Sequence, residues 1–134
     1  MGKLQDFLME AQIGTTQTEV QIAPFPYPFI VKSITEAENK AIRKTCQKVE
    51  FDKKTRQKRI DTDTDLYNAR LVVACCVEPN FKDAALQEKY GVRGAEDLIN
   101  LILNPGQYTD LLLAVQEING FTDDVNELRD EAKN

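Results

Sequence analysis

The clearest hydrophobic pattern in the chain lies in residues 104–121, where apolar residues recur every three or four positions. Asn104 has the side chain of a helix N-cap, and Pro105 suits the first turn of a helix. Asn119-Gly120 supplies a left-handed stop, after which Phe121 can fold back onto the last turn. The pattern predicts a helix with one buried face, formed by Tyr108, Leu111, Leu112, Val115 and Ile118.

Capping signals predict a second helix in the first half of the chain. Thr35 and Glu38 have the spacing of a capping box, which predicts a helix running to about Lys48. Residues three and four apart share one side of a helix. The predicted buried side consists of Ala37, Ala41, Ile42, Thr45 and Val49.

Three more helices are predicted downstream. Asp63, Thr64 and Asp65 are N-cap and first-turn residues for a helix to about Val77. The β-branched run at residues 71–77 also suits a buried strand, but the capping signals favour the helix. Shorter helices are expected over residues 81–90 and 94–103, the latter with a core stripe of Leu98, Ile99, Ile102 and Leu103.

Extended structure is predicted near the N-terminus. Residues 20–22 and 29–31 are short apolar stretches on either side of a segment with three prolines at alternate positions. Proline lacks a backbone donor, so this segment is predicted to be an edge strand or polyproline-like rather than a central strand. Phe25, Tyr27 and Phe29 are expected to cover the core; an SH3-type ligand is the alternative, without the usual proline spacing.

The resulting prediction is a mainly α fold of the α+β class, with four to five short helices packed with a small N-terminal β-hairpin or edge strands. Residues 1–18, with the apolar cluster Leu4, Phe7 and Leu8, are predicted to be a mobile arm. Residues 19–121 are predicted to be a single folded domain, and residues 122–134 an acidic flexible tail. Residues 49–61 are predicted to be either a solvated loop or a hairpin that pairs residues 49–51 with residues 59–61, and the sequence does not decide between them.

Composition and charge narrow the classes of function. The chain has 134 residues and a net charge of -5, and its longest apolar run is too short to cross a bilayer. Five lysines and arginines fall within residues 53–59, but this run is short and flanked by acids, so nucleic-acid binding is not predicted. Three cysteines without a spaced framework and no signal peptide indicate a reducing cytoplasm.

The inventory of reactive side chains predicts no catalytic site, no metal site and no cofactor. The chain has no histidine, and Cys75 and Cys76 are adjacent, which is poor spacing for a tetrahedral metal site. Asp61, Asp63 and Asp65 alternate as in a calcium loop, but the required glycine and closing glutamate are missing. Nothing pairs a nucleophile with a base, so an enzyme is not predicted.

Several stretches resemble a known family in their order and spacing. They include Cys75-Cys76-Val77-Glu78-Pro79 within residues 68–81, residues 86–92, Asn104-Pro105-Gly106, Asn119-Gly120-Phe121, and the proline-aromatic block at residues 25–29. Together they resemble the XkdN-like tail assembly chaperones of phages and prophages over about residues 20–121. The resemblance implies a protein of the host bacterial cytoplasm that binds the tape-measure protein, keeps it soluble during tail assembly, and is absent from the mature virion.

The same resemblance implies partners and a mechanism without chemistry. The tape-measure protein is the expected partner, together with the tail-tube protein and further copies of this chain. The expected partner-binding residues are Leu4, Phe7 and Leu8 in the arm and Tyr108 and Leu111 in the last helix. In such families a ribosomal frameshift often gives a longer product, and residues 132–134 fit a slippery codon run. The alternative is a structural tail or head-completion component that stays in the particle.

Overall fold

The structure is a computed structural model that describes residues 2–11 and 13–121. Within these residues the chain forms six helices and five strands, which confirms an α+β fold with one helix more than expected. The predicted acidic tail and the frameshift tripeptide lie outside the described residues. The elements are α1 (Lys3–Glu10), β1 (Gln17–Val20), β2 (Phe29–Lys32), α2 (Glu36–Thr45), β3 (Gln47–Phe51), β4 (Lys58–Thr62), α3 (Thr64–Cys75), β5 (Cys76–Glu78), α4 (Ala84–Lys89), α5 (Ala95–Ile102) and α6 (Pro105–Ile118).

The larger sheet has three antiparallel strands in the order β1-β2-β5. Strand β1 pairs with β2 from Gln17 opposite Lys32 to Val20 opposite Phe29, so an N-terminal hairpin is present, but its first strand lies at residues 17–20 rather than at the predicted residues 20–22. Gln17 and Thr18, which were assigned to the arm from sequence, therefore lie in the sheet. The proline-rich segment stays outside the strands, and β2 occupies the centre because its proline-free residues can pair on both edges.

The three aromatic residues around the prolines do not share one environment. Phe29 is buried, and Phe25 packs edge-on against it with ring centroids 5.2 Å apart. Tyr27 is exposed, so the expectation that it covers the core is wrong. The segment from residue 23 to residue 27 turns and bends instead of continuing the strand, and strict alternation of side chains holds only within a strand.

Helix α6 matches the sequence prediction at both ends. Asn104 and Gln107 form a complete capping box, with reciprocal bonds of 2.9 Å. At the other end Gly120 has a φ of +84°, and the Phe121 N–H donates to the carbonyl of Gln116. This is a Schellman stop, which lets Phe121 pack back on the core. The inner face has Leu111 and Val115 buried and Tyr108, Leu112 and Ile118 partly buried.

Asn119 joins the end of α6 to two other parts of the fold. Its side-chain oxygen accepts from the backbone N–H of Ile34 at 2.9 Å, just after β2. Its amide nitrogen donates to the Val115 carbonyl at 2.8 Å and to the Cys75 sulfur at 3.5 Å. The residue that begins the helix stop therefore also fixes the position of α6 against α3 and the sheet.

Helix α3 starts as predicted and ends early. The side chain of Asp63 accepts from the Leu66 N–H at 3.1 Å, which confirms the N-cap. The helix ends at Cys75, and Cys76–Glu78 forms strand β5 against β2, so the prediction of helix to Val77 is wrong for the last two residues. The run at residues 71–77 therefore contains both structures that its sequence suits. Its first residues are helical, and its last residues form a strand because one edge of β2 is free for pairing.

The prediction for helix α2 is right about its start and wrong about its buried side. Thr35 accepts from the Glu38 N–H at 3.2 Å, and the helix ends at Thr45 rather than near Lys48. Asn39 and Cys46 are buried and Ile42 is half-buried. The predicted positions Ala37, Ala41, Thr45 and Val49 are all exposed. The Tyr67 hydroxyl donates to the Asn39 side chain, and this contact with α3 determines the inner face.

The remaining helices close the core. Phe81 is fully buried just before α4, whose N-cap Asp83 accepts from two backbone N–H groups. Helix α5 buries Leu98 and Ile99, as predicted, and Leu103 is buried directly after it. No helix among the described residues is both long and apolar enough to cross a membrane.

Strands β3 and β4 form a separate two-stranded hairpin, so of the two alternatives that the sequence left open for residues 49–61 the hairpin is the one observed. Their register places Val49 opposite Ile60, Glu50 opposite Arg59 and Phe51 opposite Lys58. Every residue of the two strands is exposed except the half-buried Asp61. The hairpin therefore packs neither of its faces on the hydrophobic core.

Candidate functional site

The buried cysteines are not in a reactive environment. Cys46, Cys75 and Cys76 are all buried free thiols. Burial raises the pKa of the Cys76 thiol to about 12 and also raises the pKa of Cys75. A thiol that stays protonated at neutral pH is a poor nucleophile. Among the described residues, no group of three or more potential ligand side chains is arranged to hold a metal ion.

Helix α1 presents an exposed apolar face made of three predicted partner-binding residues. Leu4, Phe7 and Leu8 are 70%, 59% and 52% exposed, and none of the residues in α1 is buried. Their spacing of three and four places them on one side of the helix. Full burial of a leucine or phenylalanine side chain contributes roughly 1.5–3 kcal/mol. This face therefore offers several kcal/mol to a partner that covers it.

The other two predicted partner-binding residues lie on the inner side of α6. Leu111 is fully buried in the core, and Tyr108 is partly buried against it. Burial also raises the pKa of the Tyr108 hydroxyl. In the folded domain Leu111 is inaccessible to another protein, Tyr108 is partly accessible, and the fully exposed partner-binding candidates are the three residues of α1.

The hairpin carries a second exposed apolar surface that was not assigned a binding role from sequence. Val49, Phe51 and Ile60 lie on the same face and are 64%, 58% and 61% exposed. We call these three residues the hairpin apolar face. Three large side chains exposed together on one strand pair are typical of a contact surface.

The sequence contains a pattern for this surface, but that pattern normally indicates a buried face rather than an exposed one. Val49 and Phe51 alternate with charged residues as in a strand with one apolar face. Such a pattern normally predicts that the apolar face is buried in the domain. Only the fold shows that the hairpin lies between the C-terminal end of α2 and the N-terminal end of α3 and extends away from both. At its base the Asp63 N–H donates to the Cys46 carbonyl at 2.8 Å and joins the two strands.

Comparison with known proteins identifies relatives over most of the chain. The sequence profile of the family "Phage XkdN-like tail assembly chaperone protein" matches residues 4–133. The chain is 31% identical over 109 residues to the phage-like element PBSX protein XkdN of Bacillus subtilis (strain 168), which covers 80% of this chain and 72% of that protein. It is 34% identical over 111 residues to the uncharacterized protein YqbN of the same strain, with the same coverage.

The fold agrees with a solved structure from this group. The crystal structure of YqbN superposes with a TM-score of 0.66 at 25% identity, and the match covers 85% of this chain and 93% of that one. Sequence profile, pairwise identity and fold therefore agree. The chain belongs to the XkdN-like family of phage tail assembly chaperones.

Proposed function

We propose that this chaperone binds the tape-measure protein of its phage or prophage and keeps it soluble while tail-tube subunits assemble around it. Membership in the tail assembly chaperone family supports this proposal. The observation that carries it is the exposed apolar face of α1, because a chaperone that acts by binding needs accessible apolar surface. The protein acts by binding without chemistry, in the host cytoplasm, and leaves before the virion is complete.

The contact that we propose is between the α1 face and apolar stripes on helices of the tape-measure protein. Leu4, Phe7 and Leu8 would fill a groove on the client as i, i+3 and i+4 anchors. An eight-residue helix is marginal by itself in water, so binding also stabilises it. A contact of this size lies at the low end of protein interfaces, below about 1,200 Å² in total, and is therefore reversible.

Co-expression with the tape-measure gene tests the proposal. The intact chaperone should increase the soluble fraction of the tape-measure protein, and the triple variant Leu4→Ser, Phe7→Ser, Leu8→Ser should not. Leu101→Ser is the matched control, because Leu101 is also an exposed leucine on a helix, 56% exposed, but lies on α5. Circular dichroism and urea unfolding of all variants should match the wild type. Equal tape-measure solubility with and without the intact chaperone would disprove the proposal.

A second measurement concerns the fate of the protein after assembly. Mass spectrometry of purified virions should find none of this chain or traces only. Many copies per particle would instead favour a structural tail or head-completion component. We also propose that frameshifting at the codons of residues 132–134 yields a longer product; codons that interrupt the adenine run would refute it.

A further inference from the structure

The hairpin of β3 and β4 has two chemically different faces. On one face Lys48 lies opposite Asp61 and Glu50 opposite Arg59, and Arg59 also forms an ion pair with Asp61 at 3.2 Å. The charges of that face are therefore balanced within the hairpin. The other face is the hairpin apolar face, which the described residues leave exposed. A lone two-stranded hairpin is only marginally stable in water, so a cover for this face would stabilise it.

The charges outside the balanced face are separated along the length of the hairpin. The tip, residues 52–58, has four basic residues against one acid, which gives a net charge of +3. One of the four, Lys58, lies opposite Phe51 on the side of the hairpin apolar face. At the base, β4 is followed by Asp63 and Asp65 at the start of α3. No ion pair within the described residues involves these two aspartates or the four basic residues of the tip.

We infer that a second copy of this chain covers the hairpin apolar face, and that a two-fold axis relates the two hairpins. Residues directly opposite each other in an antiparallel pair share one face. Val49 and Ile60 are the middle pair of the three on this face. An axis across this pair places Val49 over Val49, and Ile60 over Ile60, of the second copy. Both copies then bury the same apolar side chains, as in the two-fold dimers that are the commonest assemblies of identical chains.

The charges decide which way the two hairpins point. If the tips lay over each other, the positive charges of both tips would repel. If the tip of each hairpin lies over the base of the other, Lys58 lies over Thr62 of the second copy, and Asp63 and Asp65 of that copy follow immediately. The symmetry repeats the same attraction at the other end. The hairpin is therefore complementary to itself in the tip-to-base orientation.

The size of the contact predicts a weak and reversible dimer. Each strand has five residues and is about 17 Å long, and the face is two strands wide. This footprint is well below the roughly 800 Å² that each partner contributes to a standard interface. The dimer should therefore form at protein concentrations of about 10 μM to 1 mM. The contact involves this chain alone, so the inference is independent of the tape-measure proposal.

Analytical ultracentrifugation of the full chain over this concentration range tests the inference. The mass should rise from one chain to two. Phe51→Ser together with Ile60→Ser should raise the Kd by at least about tenfold, because the symmetry removes each apolar contact twice. Leu101→Ser is the matched control, since Leu101 is 56% exposed on α5, and should leave the Kd unchanged. Far-UV circular dichroism should be the same for all variants because the substituted residues are exposed.

Charge substitutions test the orientation. Lys58→Glu and Asp65→Lys should each raise the Kd by about threefold or more, because each places like charges together at both ends of the contact. The double variant restores opposite charges and should recover most of the wild-type affinity. A double variant as weak as the two single losses combined would overturn the tip-to-base orientation.

Cross-linking through an introduced cysteine gives a second measurement of the geometry. The native cysteines are buried, so the new thiol is the reactive one. Val49→Cys lies at the axis, and facing sheets pack about 10 Å apart, which bismaleimidoethane can bridge. Lys53→Cys lies four residues farther along, about 26 Å from its counterpart, and should not be linked. Linking through Lys53→Cys but not through Val49→Cys would show the tips together and overturn the inference.

Two further results would also contradict a dimer through the hairpin. One is a chain that stays monomeric up to about 1 mM. The other is a dimer that survives the Phe51 and Ile60 substitutions but is lost in the triple variant Leu4→Ser, Phe7→Ser, Leu8→Ser. That result would place the contact on α1 instead of the hairpin.

Discussion

Three consecutive leucines on α6 provide a direct test of the assigned core. Leu111 is fully buried, Leu112 packs against the core but is only partly buried, and Leu113 is 37% exposed. Leu→Ala changes the intrinsic helix propensity by the same small amount at each position. The series Leu111→Ala, Leu112→Ala and Leu113→Ala therefore compares burial alone on one helix.

The expected losses follow from the environment of each side chain. At Leu111 the removed carbon atoms lose roughly 2.4 kcal/mol of transfer free energy, at about 0.8 kcal/mol for each methylene. The cavity that remains brings the total cost to about 3–5 kcal/mol. Leu112→Ala should cost about 1–2 kcal/mol because part of its surface already contacts water. Leu113→Ala should cost the least of the three, about 1 kcal/mol or less, because Leu113 is the most exposed at 37%.

Urea unfolding monitored by circular dichroism measures these differences. The midpoint should fall in the order Leu113→Ala, Leu112→Ala, Leu111→Ala, with the smallest change first and the slope with urea unchanged. A loss of 4 kcal/mol is a large part of a typical total of about 5–15 kcal/mol, so Leu111→Ala will be visibly destabilised. Equal losses at the three positions, or the largest loss at Leu113, would refute the assigned inner face of α6.

Two further predictions concern Asn119 and the buried thiols. Asn119→Ala removes the acceptor of the Ile34 N–H and the donor to the Val115 carbonyl and should cost about 1–3 kcal/mol in urea unfolding, whereas Glu117→Ala, at an exposed position on the same last turn, should cost less than about 0.5 kcal/mol. A loss at Asn119 no larger than the loss at Glu117 would contradict this role. The Cys76 thiol ionises near pH 9 when unfolded and at about 12 when folded. The free energy of unfolding should therefore be unaffected by this thiol below pH 9 and should fall above it, by up to about 1.4 kcal/mol per pH unit. Urea titrations at pH 8 to 10.5 should show a shallower fall for Cys76→Ala, and an equal slope would contradict the assignment.

Local signals in the sequence were sufficient for much of the fold. Asn104 with Gln107, Asp63 and Thr35 each act on backbone groups a few residues away, so the starts of α6, α3 and α2 could be predicted without knowledge of the rest of the chain. The same holds for the stop at Gly120, whose positive φ closes a turn within a few residues.

The candidate site was predicted only in part. Leu4, Phe7 and Leu8 were predicted as partner-binding residues because they form one apolar face of a short segment, and the structure leaves that face exposed. Leu111 was included because periodicity shows which residues share a face but not whether that face meets the core or another protein. The hairpin apolar face was missed for the opposite reason, since an apolar alternation normally indicates burial.

What the sequence determined by itself about this protein is therefore local: where most helices begin, where α6 stops, which residues share its face, and the family to which the chain belongs. The tertiary structure decided which faces are covered. The Tyr67 hydroxyl contacts the buried Asn39 side chain, which lies 28 positions away in the sequence, and Cys76 pairs with β2 as a strand residue instead of continuing helix α3. Both outcomes depend on partners distant in sequence, whereas caps and periodicity depend on neighbours, and for this reason the exposed hairpin became visible only in the folded chain.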